Sequence, residues 1–454
     1  MIKKNEVYCV NIIDQGIEGE GIAKIDNFTV FIKDAIQGET VKIIITKVLT
    51  SYAYGKVMEI IQPSNSRTEI DCSIYQRCGG CCLRHIEYKQ TLKIKTDIVK
   101  NCLYKALDKP IKVNECIGMQ NPLHYRNKLQ YPVGVNQFGE AIMGIYAQRS
   151  HHIIETTQCL IQDELSQKIA NEIFVILKKY NVEPYNEKDG SGTIRHLVIR
   201  KGKRTNEVMV TIVVNQEKLK NEEKIIEEIT GKFQEIKTIV KNINSEDTNV
   251  ILGKKTKILY GSGYIRDYLG QYQFKISPLS FYQVNPVQTE ILYNMAIQYA
   301  ELTGKETVYD LYCGIGTIGI FASNYAEKVY GIEVVEQAIK DAKENAKING
   351  INNIEFYTGD VEKLLPDLVK KNKADVVFID PPRKGLDNHT IETLLELKAD
   401  KIVYISCNPA TLARDLAKLV QKYKINQIQP VDMFPFTSHV ETVSVLTLKN
   451  KLFY

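Results

Sequence analysis

The chain has 454 residues, of which 44% are hydrophobic and 25% charged, an ordinary composition for a soluble globular protein of two or three domains. It contains no run of about 18 apolar residues and begins without an apolar signal segment, so we expect a cytoplasmic protein without a membrane partner. The net charge of +5 arises in residues 1–130, where 19 Lys and Arg outnumber 14 Asp and Glu, while the remainder has 40 of each sign. An excess of basic residues in the N-terminal part of an otherwise neutral chain is typical of a protein with a polyanionic partner, although a solvated lysine-rich surface would give the same excess.

Residues 1–62 predict a small β-barrel. Residues 7–13 alternate between apolar and polar side chains, residues 29–32 are β-branched and aromatic, and residues 41–48 are almost all Val, Ile and Lys. Glycine-containing turns separate these strands, and Pro63 ends the last one. Several short strands at this spacing are typical of a small barrel.

A cluster of cysteines, Cys72, Cys78, Cys81 and Cys82, follows the predicted barrel. Ten cysteines in a cytosolic chain argue against disulfides and favour metal binding or catalysis. Two glycines between Cys78 and Cys81 let the backbone turn sharply enough for both thiols to bind one metal centre, and Cys159 is the best candidate for a fourth ligand. Four thiolates suit either zinc or an iron–sulfur cluster. The spacing differs from that of radical enzymes, and the alternative to a metal site is a set of unligated thiols.

The middle of the chain predicts an α+β domain over residues 63–270. Its clearest elements are one long helix and three strands, at residues 88–107, 129–135, 194–200 and 208–214. Two short segments are rich in basic side chains, residues 124–128, which include Tyr125, and the turn at 201–204. They would combine phosphate contacts with base stacking on Tyr125, and the alternative is that both are solvated turns. The highly charged residues 218–249 predict only helix and loop.

The C-terminal third predicts a doubly wound α/β sheet over residues 271–454, because strands and helices alternate. The predicted strands cover residues 307–311, 328–332, 354–357, 375–379 and 402–405. A glycine turn follows the first strand, and Glu333 ends the second, where a carboxylate is placed to bind the ribose hydroxyls of an adenosine cofactor. The third glycine, which gives room for a pyrophosphate, is missing, and this favours S-adenosylmethionine over NAD. Asp380 also falls at the carboxyl end of a strand.

Cys407 lies between the predicted strand at residues 402–405 and a predicted helix at residues 412–419. It therefore falls at the edge of an open α/β sheet where ligands bind. A thiol at that edge is a candidate nucleophile. The alternative is that Cys407 fills the core as a small hydrophobic residue, as most single cysteines do.

Five motifs give the chain a resemblance to a known family. They are Phe-Tyr-Gln-Val-Asn at 281–285, Asp-Leu-Tyr-Cys-Gly at 310–314, Asp-Pro-Pro-Arg-Lys-Gly at 380–385, Ser-Cys-Asn-Pro-Ala-Thr at 406–411 and His-Val-Glu-Thr at 439–442. With them the chain resembles the RNA uracil-C5 methyltransferases, in the iron–sulfur branch that modifies 23S ribosomal RNA. Its first 62 residues resemble a TRAM domain, an OB-like RNA-binding barrel. The resemblance implies that this barrel precedes a central iron–sulfur domain and a Rossmann-like catalytic domain that uses S-adenosylmethionine.

The resemblance also implies roles for single residues. Cys407 would be the nucleophile, Glu441 the general base and Asp380 a catalytic residue. The pocket for S-adenosylmethionine and uracil would be lined by Gln283, Tyr312, Glu333 and Asp380. The chemistry needs these residue types, since a thiolate that adds at C6 of uracil makes C5 nucleophilic enough to take the methyl group, and a base must then remove the C5 proton. The target uridine must be unstacked to enter such a pocket.

The same resemblance assigns the cysteine cluster and the partners. A 4Fe–4S cluster would be held by Cys72, Cys78, Cys81 and Cys159, with Cys82 as an extra thiol. The helix at residues 88–107 would pack on the catalytic domain. We expect a monomer that binds RNA, with 23S ribosomal RNA as the target and transfer RNA as the alternative.

Three other functions compete with this interpretation. Amino-group methyltransferases share the Asp-Pro-Pro loop, but they need no thiol and leave Cys407 unexplained. Cytosine-C5 RNA methyltransferases use a thiol, but the Ser-Cys-Asn-Pro and His-Val-Glu-Thr motifs match the uracil enzymes better. A non-catalytic RNA-binding or chaperone protein would not need the intact pair Cys407 and Glu441.

Overall fold

The computed structural model describes residues 2–187 and 189–449. Met1, Lys188 and residues 450–454, which the predicted domains include, lie outside these ranges. The described residues form an N-terminal sheet, a central sheet, a two-stranded ribbon and a C-terminal sheet, with helices around the last three. None of the described helices combines the length and the apolar character that crossing a membrane requires.

The N-terminal sheet has six strands. They are β1 (Val7–Asn11), β2 (Asp14–Gln15), β3 (Gly21–Ile25), β4 (Phe28–Lys33), β5 (Thr40–Val48) and β6 (Tyr52–Gln62). Their order is β1-β5-β6-β4-β3-β2, and all pairs are antiparallel except β4 with β6. Alternate residues of β5, Val41, Ile43 and Ile45, are fully buried. Because β1 also packs against β3, the sheet curls around one apolar core.

The central region begins with a long helix and continues as a mixed sheet. Its elements are α1 (Tyr88–Leu107), β7 (Lys128–Val135), β8 (Ala141–Tyr146), β9 (Ile153–Glu155), α2 (Glu164–Lys179), β10 (Ile194–Lys201), β11 (Val208–Val214), α3 (Glu222–Lys232), β12 (Ile236–Ile243) and β13 (Lys255–Gly261), followed by the ribbon β14 (Ile265–Leu269) and β15 (Tyr272–Ile276). The strand order is β13-β12-β11-β10-β7-β8-β9. Helices α2 and α3 cover the face that carries Leu129, Tyr131 and Leu197.

Strand β12 corrects the prediction of helix and loop alone for residues 218–249. Its interior position in the sheet buries Lys241 and Asn242 together with its apolar residues. Lys241 is satisfied there by Glu222 and by the carbonyl of Glu217, and the Asn242 amide donates to the carbonyl of Gly253 at 2.8 Å. Paired polar side chains thus occupy positions where a sequence pattern predicts apolar ones.

The C-terminal region is a doubly wound α/β sheet, as predicted. Its elements are α4 (Pro286–Ala300), β16 (Thr307–Leu311), α5 (Thr317–Ser323), β17 (Lys328–Glu333), α6 (Glu336–Ile348), β18 (Ile354–Thr358), α7 (Val361–Lys371), β19 (Val376–Ile379), α8 (Asn388–Leu397), β20 (Lys401–Ser406), α9 (Pro409–Leu419), β21 (Tyr423–Val431) and β22 (Glu441–Leu448). The order is β18-β17-β16-β19-β20-β22-β21, with β22 antiparallel to both of its neighbours. The order reverses between β16 and β19, and ligands bind at such a switch point.

Helix α1 packs against α9 and contributes Val99 and Leu103 to the core of the C-terminal sheet. Lys95 of α1 also forms a fully buried ion pair with Asp432, at 2.5 Å between Nζ and Oδ1. Removing either partner would leave the other charge buried and unpaired, so this contact holds α1 firmly on the sheet. The boundaries near residues 62 and 270 stay predictions.

Candidate active site

Cys407 lies in the turn between β20 and α9. The next residue, Asn408, caps α9 by accepting a hydrogen bond from the Ala410 amide at 3.1 Å, and Pro409 occupies the first helical position. The Asn408 side chain also donates to the carbonyl of Arg383 at 3.1 Å, and the Thr411 hydroxyl donates to the same carbonyl at 3.3 Å. The Ser-Cys-Asn-Pro turn is therefore fixed to the Asp-Pro-Pro-Arg loop, and Cys407 remains half-buried between them.

The sheet topology brings two carboxylates to the same edge. Asp380 follows the last residue of β19, which is the parallel neighbour of β20. Glu441 is the first residue of β22, and because β22 runs antiparallel to β20, its start lies beside the end of β20, with Ser406 opposite Thr442. Glu441 is only 4% exposed. One thiol and two acids, far apart in sequence, thus share one edge.

Burial raises the pKa of all three groups, and the charges of neighbouring acids add to it for Glu441 and Cys407. Burial, followed by the charge of Asp380, raises the pKa of Glu441 to about 8, and burial raises the pKa of Asp380 to about 7. Burial, followed by the charges of Glu441 and Asp380, raises the pKa of Cys407 to about 11, while Arg383 acts in the opposite direction. The site can therefore hold protons at neutral pH that a reaction would use.

A second constellation lies where β16 ends and α5 begins. Glu333, at the end of β17, accepts hydrogen bonds from the amides of Gly314 at 3.2 Å and Val335 at 2.9 Å. A Cβ on Gly316 would come within 2.8 Å of the Phe356 ring, and the residue has a φ of 81°, so only glycine fits there. Tyr312 also has a positive φ, of 63°. The turn is a narrow backbone cradle beside a carboxylate.

Gln283 and Tyr312 are held by contacts with different parts of the protein. The backbone carbonyl of Gln283 accepts from the Asn127 side chain at 3.1 Å, which ties it to the central region. Burial, opposed by a hydrogen bond with Thr390 of α8, raises the pKa of Tyr312 to about 12. Among the described residues no hydrogen bond joins either side chain to Cys407.

Two residues were given no role by the sequence. Asp310 is fully buried and accepts from the Gly319 amide at 2.8 Å, while its other oxygen has no hydrogen-bond partner within the described ranges. Burial raises the pKa of Asp310 to about 8. Tyr293 of α4 is buried, and its pKa is raised by burial and then by the charges of Asp380, Asp310 and Glu441. Asp310 could have been found from its place at the end of a strand, whereas nothing in the sequence marks Tyr293.

The chain matches two family descriptions. Residues 87–449 match the tRNA (uracil-5-)-methyltransferase family, and residues 3–58 match the TRAM domain. The chain belongs to the RNA uracil-5 methyltransferases. This methyltransferase is similar to uncharacterized RNA methyltransferases of Clostridium acetobutylicum, at 49% identity over 99% of both chains, and of Staphylococcus aureus, at 46% identity over 99% of both.

A solved structure is similar along nearly the whole chain. It is the Pyrococcus abyssi tRNA (uracil-54, C5)-methyltransferase in complex with S-adenosyl-L-homocysteine, at 25% identity and a TM-score of 0.78, covering 97% of this chain and 100% of that one. These matches confirm the predicted family of RNA uracil-C5 methyltransferases and the predicted fold class of a TRAM domain with a Rossmann-like catalytic domain, while the iron–sulfur branch stays a prediction. This protein is thus an RNA uracil-5 methyltransferase that uses S-adenosylmethionine.

The cysteine-rich segment of this methyltransferase surrounds a cavity of about 220 Å³, lined by Cys72, Cys78, Cys81 and Cys159 and by Tyr75, Arg84 and Arg126. Burial, then the charges of neighbouring thiols, raises the pKa of Cys81. Within the described residues, no three Cys, His, Asp or Glu side chains are grouped tightly enough to hold a single metal ion. The Sγ of Cys82 instead accepts a hydrogen bond from the Ser438 amide at 3.1 Å.

The loop that leads to Glu441 rests on this segment. The amides of Cys82 and Leu83 donate to the carbonyl of Phe436 at 3.1 and 3.0 Å, and the Arg84 guanidinium lies 4.4 Å from the centre of the Phe436 ring. Phe436 itself has a φ of 64°, a conformation that these contacts must hold in place. The segment that carries the cavity therefore also supports the loop that carries Glu441.

Proposed function

We propose that this methyltransferase transfers the methyl group of S-adenosylmethionine to C5 of a uridine in 23S ribosomal RNA, with Cys407 as nucleophile and Glu441 as base. The observation that carries the proposal is the meeting of one thiol and two protonatable carboxylates at a single sheet edge. No simpler role accounts for three such groups in one buried place, since burying mutually repelling acids destabilises the fold.

In the proposed reaction the half-buried thiol of Cys407 first gives its proton to solvent, and the positive charge of Arg383 stabilises the resulting thiolate. Sulfur then bonds to C6 of uracil, and the electrons of the C5–C6 double bond move to the O4 carbonyl. C5 next takes the methyl group and S-adenosylhomocysteine departs. Glu441 removes the C5 proton, the double bond reforms and the Cys407–C6 bond breaks. Asp380, whose pKa is about 7, can donate a hydrogen bond to the uracil edge and hold the ring.

Gln283, Tyr312, Glu333 and Asp380 are proposed to line the donor pocket. Glu333 accepts a hydrogen bond from the Gly314 amide, and its carboxylate has further lone pairs that ribose hydroxyls can use.

The test of the nucleophile uses RNA that contains 5-fluorouridine, whose fluorine cannot leave as a proton does. Wild-type protein and donor should give a covalent protein–RNA adduct that survives denaturation, and Cys407→Ala should give none. An adduct of equal yield in Cys407→Ala would overturn the assignment.

The target is tested by mapping 5-methyluridine in ribosomal and transfer RNA from a strain that lacks the gene. The TRAM domain and the cysteine-lined cavity support 23S ribosomal RNA, whereas the name of the matched family and the Pyrococcus abyssi relative favour transfer RNA. Loss of the modification from 23S RNA alone supports the first. Its loss from transfer RNA alone replaces the first by the second.

We further propose that Cys72, Cys78, Cys81 and Cys159 hold a 4Fe–4S cluster. The four thiols line one cavity but are not close enough for a single ion, and a cluster, being larger than one ion, needs such wider spacing. Protein purified without oxygen should be brown and contain about four iron atoms per chain. One zinc per chain and no iron would contradict this proposal.

We also propose that the protein works as a cytoplasmic monomer with three domains, at residues 1–62, 63–270 and 271–454. One chain already joins an RNA-binding module to the catalytic sheet, and α1 links the central region to that sheet. Light scattering on the purified protein should give the mass of one chain, and the mass of two would exclude the monomer.

A further inference from the structure

Two cations lie directly opposite each other in the central sheet. Lys128, the first residue of β7, pairs with Arg200 of β10 in the antiparallel register, so both side chains project from the same face. Arg126 is close enough for its charge to act on Lys128. Like charges in directly opposite positions destabilise a strand pair. Such an arrangement is expected where an anion binds between them.

No carboxylate of the described residues neutralises this group. Within ranges 2–187 and 189–449, neither Arg126, Lys128 nor Arg200 takes part in an ion pair, whereas the adjacent Lys201 pairs with Asp163 at 2.7 Å. Burial, then the charges of Arg200 and Arg126, lowers the pKa of Lys128 to about 7. The three basic side chains therefore have no carboxylate partner among the described residues, and an anion bound beside them would raise the pKa of Lys128 again.

The burial and the hydrogen bonds of the two arginines support the same interpretation. Arg200 is only 3% exposed, and its guanidinium donates to the carbonyl of Ser280 at 3.0 Å. The Nε of Arg126 is buried without a hydrogen-bond partner among the described residues. Buried guanidinium donors are normally paired, so the Arg126 Nε has room for an acceptor that the described residues do not provide, whereas Arg200 has the Ser280 carbonyl as one acceptor.

This cationic group, Arg126, Lys128 and Arg200, borders the catalytic edge. The amide of Asn127 donates to the carbonyl of Val284 at 2.8 Å, next to Gln283. The pKa of His439, two residues before Glu441, is lowered by burial and by the charges of Arg383, Lys95 and Arg126. The group thus lies between the Gln283 segment and the Glu441 loop.

We propose that Arg126, Lys128 and Arg200 form a binding site for an RNA phosphate next to the uridine that enters the catalytic pocket. The proposal rests on the proposed function only in taking uridine-containing RNA as substrate. The amino-acid part of S-adenosylmethionine carries an ammonium besides its carboxylate, so it has no net charge to match three cations. A phosphodiester backbone is anionic throughout, and phosphate contacts of this kind set the register of a nucleic acid.

The experiment compares Lys128→Met with Lys224→Met. Both variants remove one lysine from the central region, but Lys224 lies exposed on α3, which covers the opposite face of the sheet. Binding of in-vitro-transcribed 23S RNA is measured on filters at several salt concentrations without methyl donor, so that a wrong target nucleotide or a wrong nucleophile does not affect the result. Arg126 also borders the cysteine cavity, and Lys128 is for this reason the better position to change.

We expect Lys128→Met to raise the Kd for RNA about 5- to 10-fold and to reduce the slope of log K against log salt concentration by about 0.7. Its melting temperature should be unchanged or higher, because a repulsive pair is removed, and Lys224→Met should bind like wild type. An unchanged Kd and slope, or an equal effect of Lys224→Met, would overturn the proposal. So would a lower melting temperature with unchanged RNA affinity, or a raised KM for S-adenosylmethionine alone.

Discussion

The protein contains two thiol environments that resemble each other in one respect and differ in another. Burial raises the pKa of Cys407 and also that of the cavity thiols Cys78, Cys81 and Cys159. Cys407, however, lies half-buried at an open sheet edge beside Glu441, Asp380 and Arg383. The cavity thiols face one another, and their cavity is lined by Arg84 and Arg126 but by no carboxylate of the described residues.

Burial alone therefore does not decide whether a cysteine acts as a nucleophile or as a metal ligand. A thiol beside a proton acceptor and a cation can be deprotonated when a substrate arrives, and it then acts as a nucleophile. A thiol that is surrounded by other thiols keeps its proton until a metal centre binds to the sulfur in place of that proton. The carboxylates beside Cys407 distinguish its surroundings from those of the cavity thiols, and each carboxylate can be changed separately.

The largest effect is expected from Cys407→Ala. Without a nucleophile, methyl transfer should fall by about 10⁴-fold or more, while the iron content and the affinity for RNA stay those of wild type. Radiolabelled methyl transfer and metal analysis measure this. Cys9→Ala, at an exposed thiol of β1, serves as the control and should keep full activity. Activity within tenfold of wild type in Cys407→Ala would remove the distinction between the two thiol environments.

Glu441→Gln should lower turnover by about 10²- to 10⁴-fold, because the C5 proton is no longer removed. The variant should instead accumulate a methylated covalent adduct with ordinary RNA, since Cys407 can add but cannot be eliminated. Denaturing electrophoresis with labelled donor detects that adduct. A slow variant without any adduct would mean that Glu441 acts before the addition step.

Cys78→Ser should give a smaller loss of activity, of about 10- to 100-fold, together with loss of iron. The expected cause is indirect, since the cysteine-rich segment supports the Phe436 loop that leads to Glu441. The fluorouridine adduct should still form in this variant, only more slowly. If Cys78→Ser lost the adduct entirely while it retained iron, the cavity thiol would belong to the chemistry rather than to the support.

The pH dependence gives a moderate effect with a definite sign. A base must be deprotonated to act, and the pKa of Glu441 is raised to about 8, so only about one tenth of the free protein has the active form at pH 7. The rate constant kcat/KM should therefore rise with pH from pH 6 to pH 9, because the thiolate fraction of Cys407, whose pKa is about 11, also grows over this interval. Steady-state rates between pH 6 and 9 would test this, and a rate that falls over the same interval would contradict it.

The smallest effect is a shift in thiol titration. Alkylation of Cys407, followed by mass spectrometry of its peptide, should have a midpoint near pH 11 in the free protein. Removing negative charge in Asp380→Asn should lower this midpoint, and removing positive charge in Arg383→Ala should raise it. The alkylation of Cys81 in the cavity should respond to neither change. A joint shift of both thiols would indicate a general structural change.

Much of the catalytic sheet could be predicted from the sequence because its strands are continuous apolar runs that end in polar motifs. Residues 307–311 form β16 as predicted, and the predicted strand at 402–405 lies within β20. Both strands end in turns whose residues are chemically distinctive, and chain order alone then places those turns at one edge. Strand β12 was missed because its buried Lys241 and Asn242 disguise the apolar pattern.

The support of the site could not be predicted. The contacts between Phe436 and the Cys82–Leu83 segment join residues more than 350 positions apart, and no local sequence pattern indicates them. The opposition of Lys128 and Arg200 depends on strand register, which a list of strands does not contain. Tyr293 likewise meets the carboxyls only because α4 packs behind the sheet.

The central claim is that Cys407, and no cavity thiol, bonds to the uracil ring. The most direct measurement is tandem mass spectrometry of the peptide that remains attached to 5-fluorouridine RNA after digestion of the trapped wild-type complex. We predict a single modified peptide with the nucleotide on Cys407. A nucleotide on Cys72, Cys78, Cys81 or Cys159 would contradict the account.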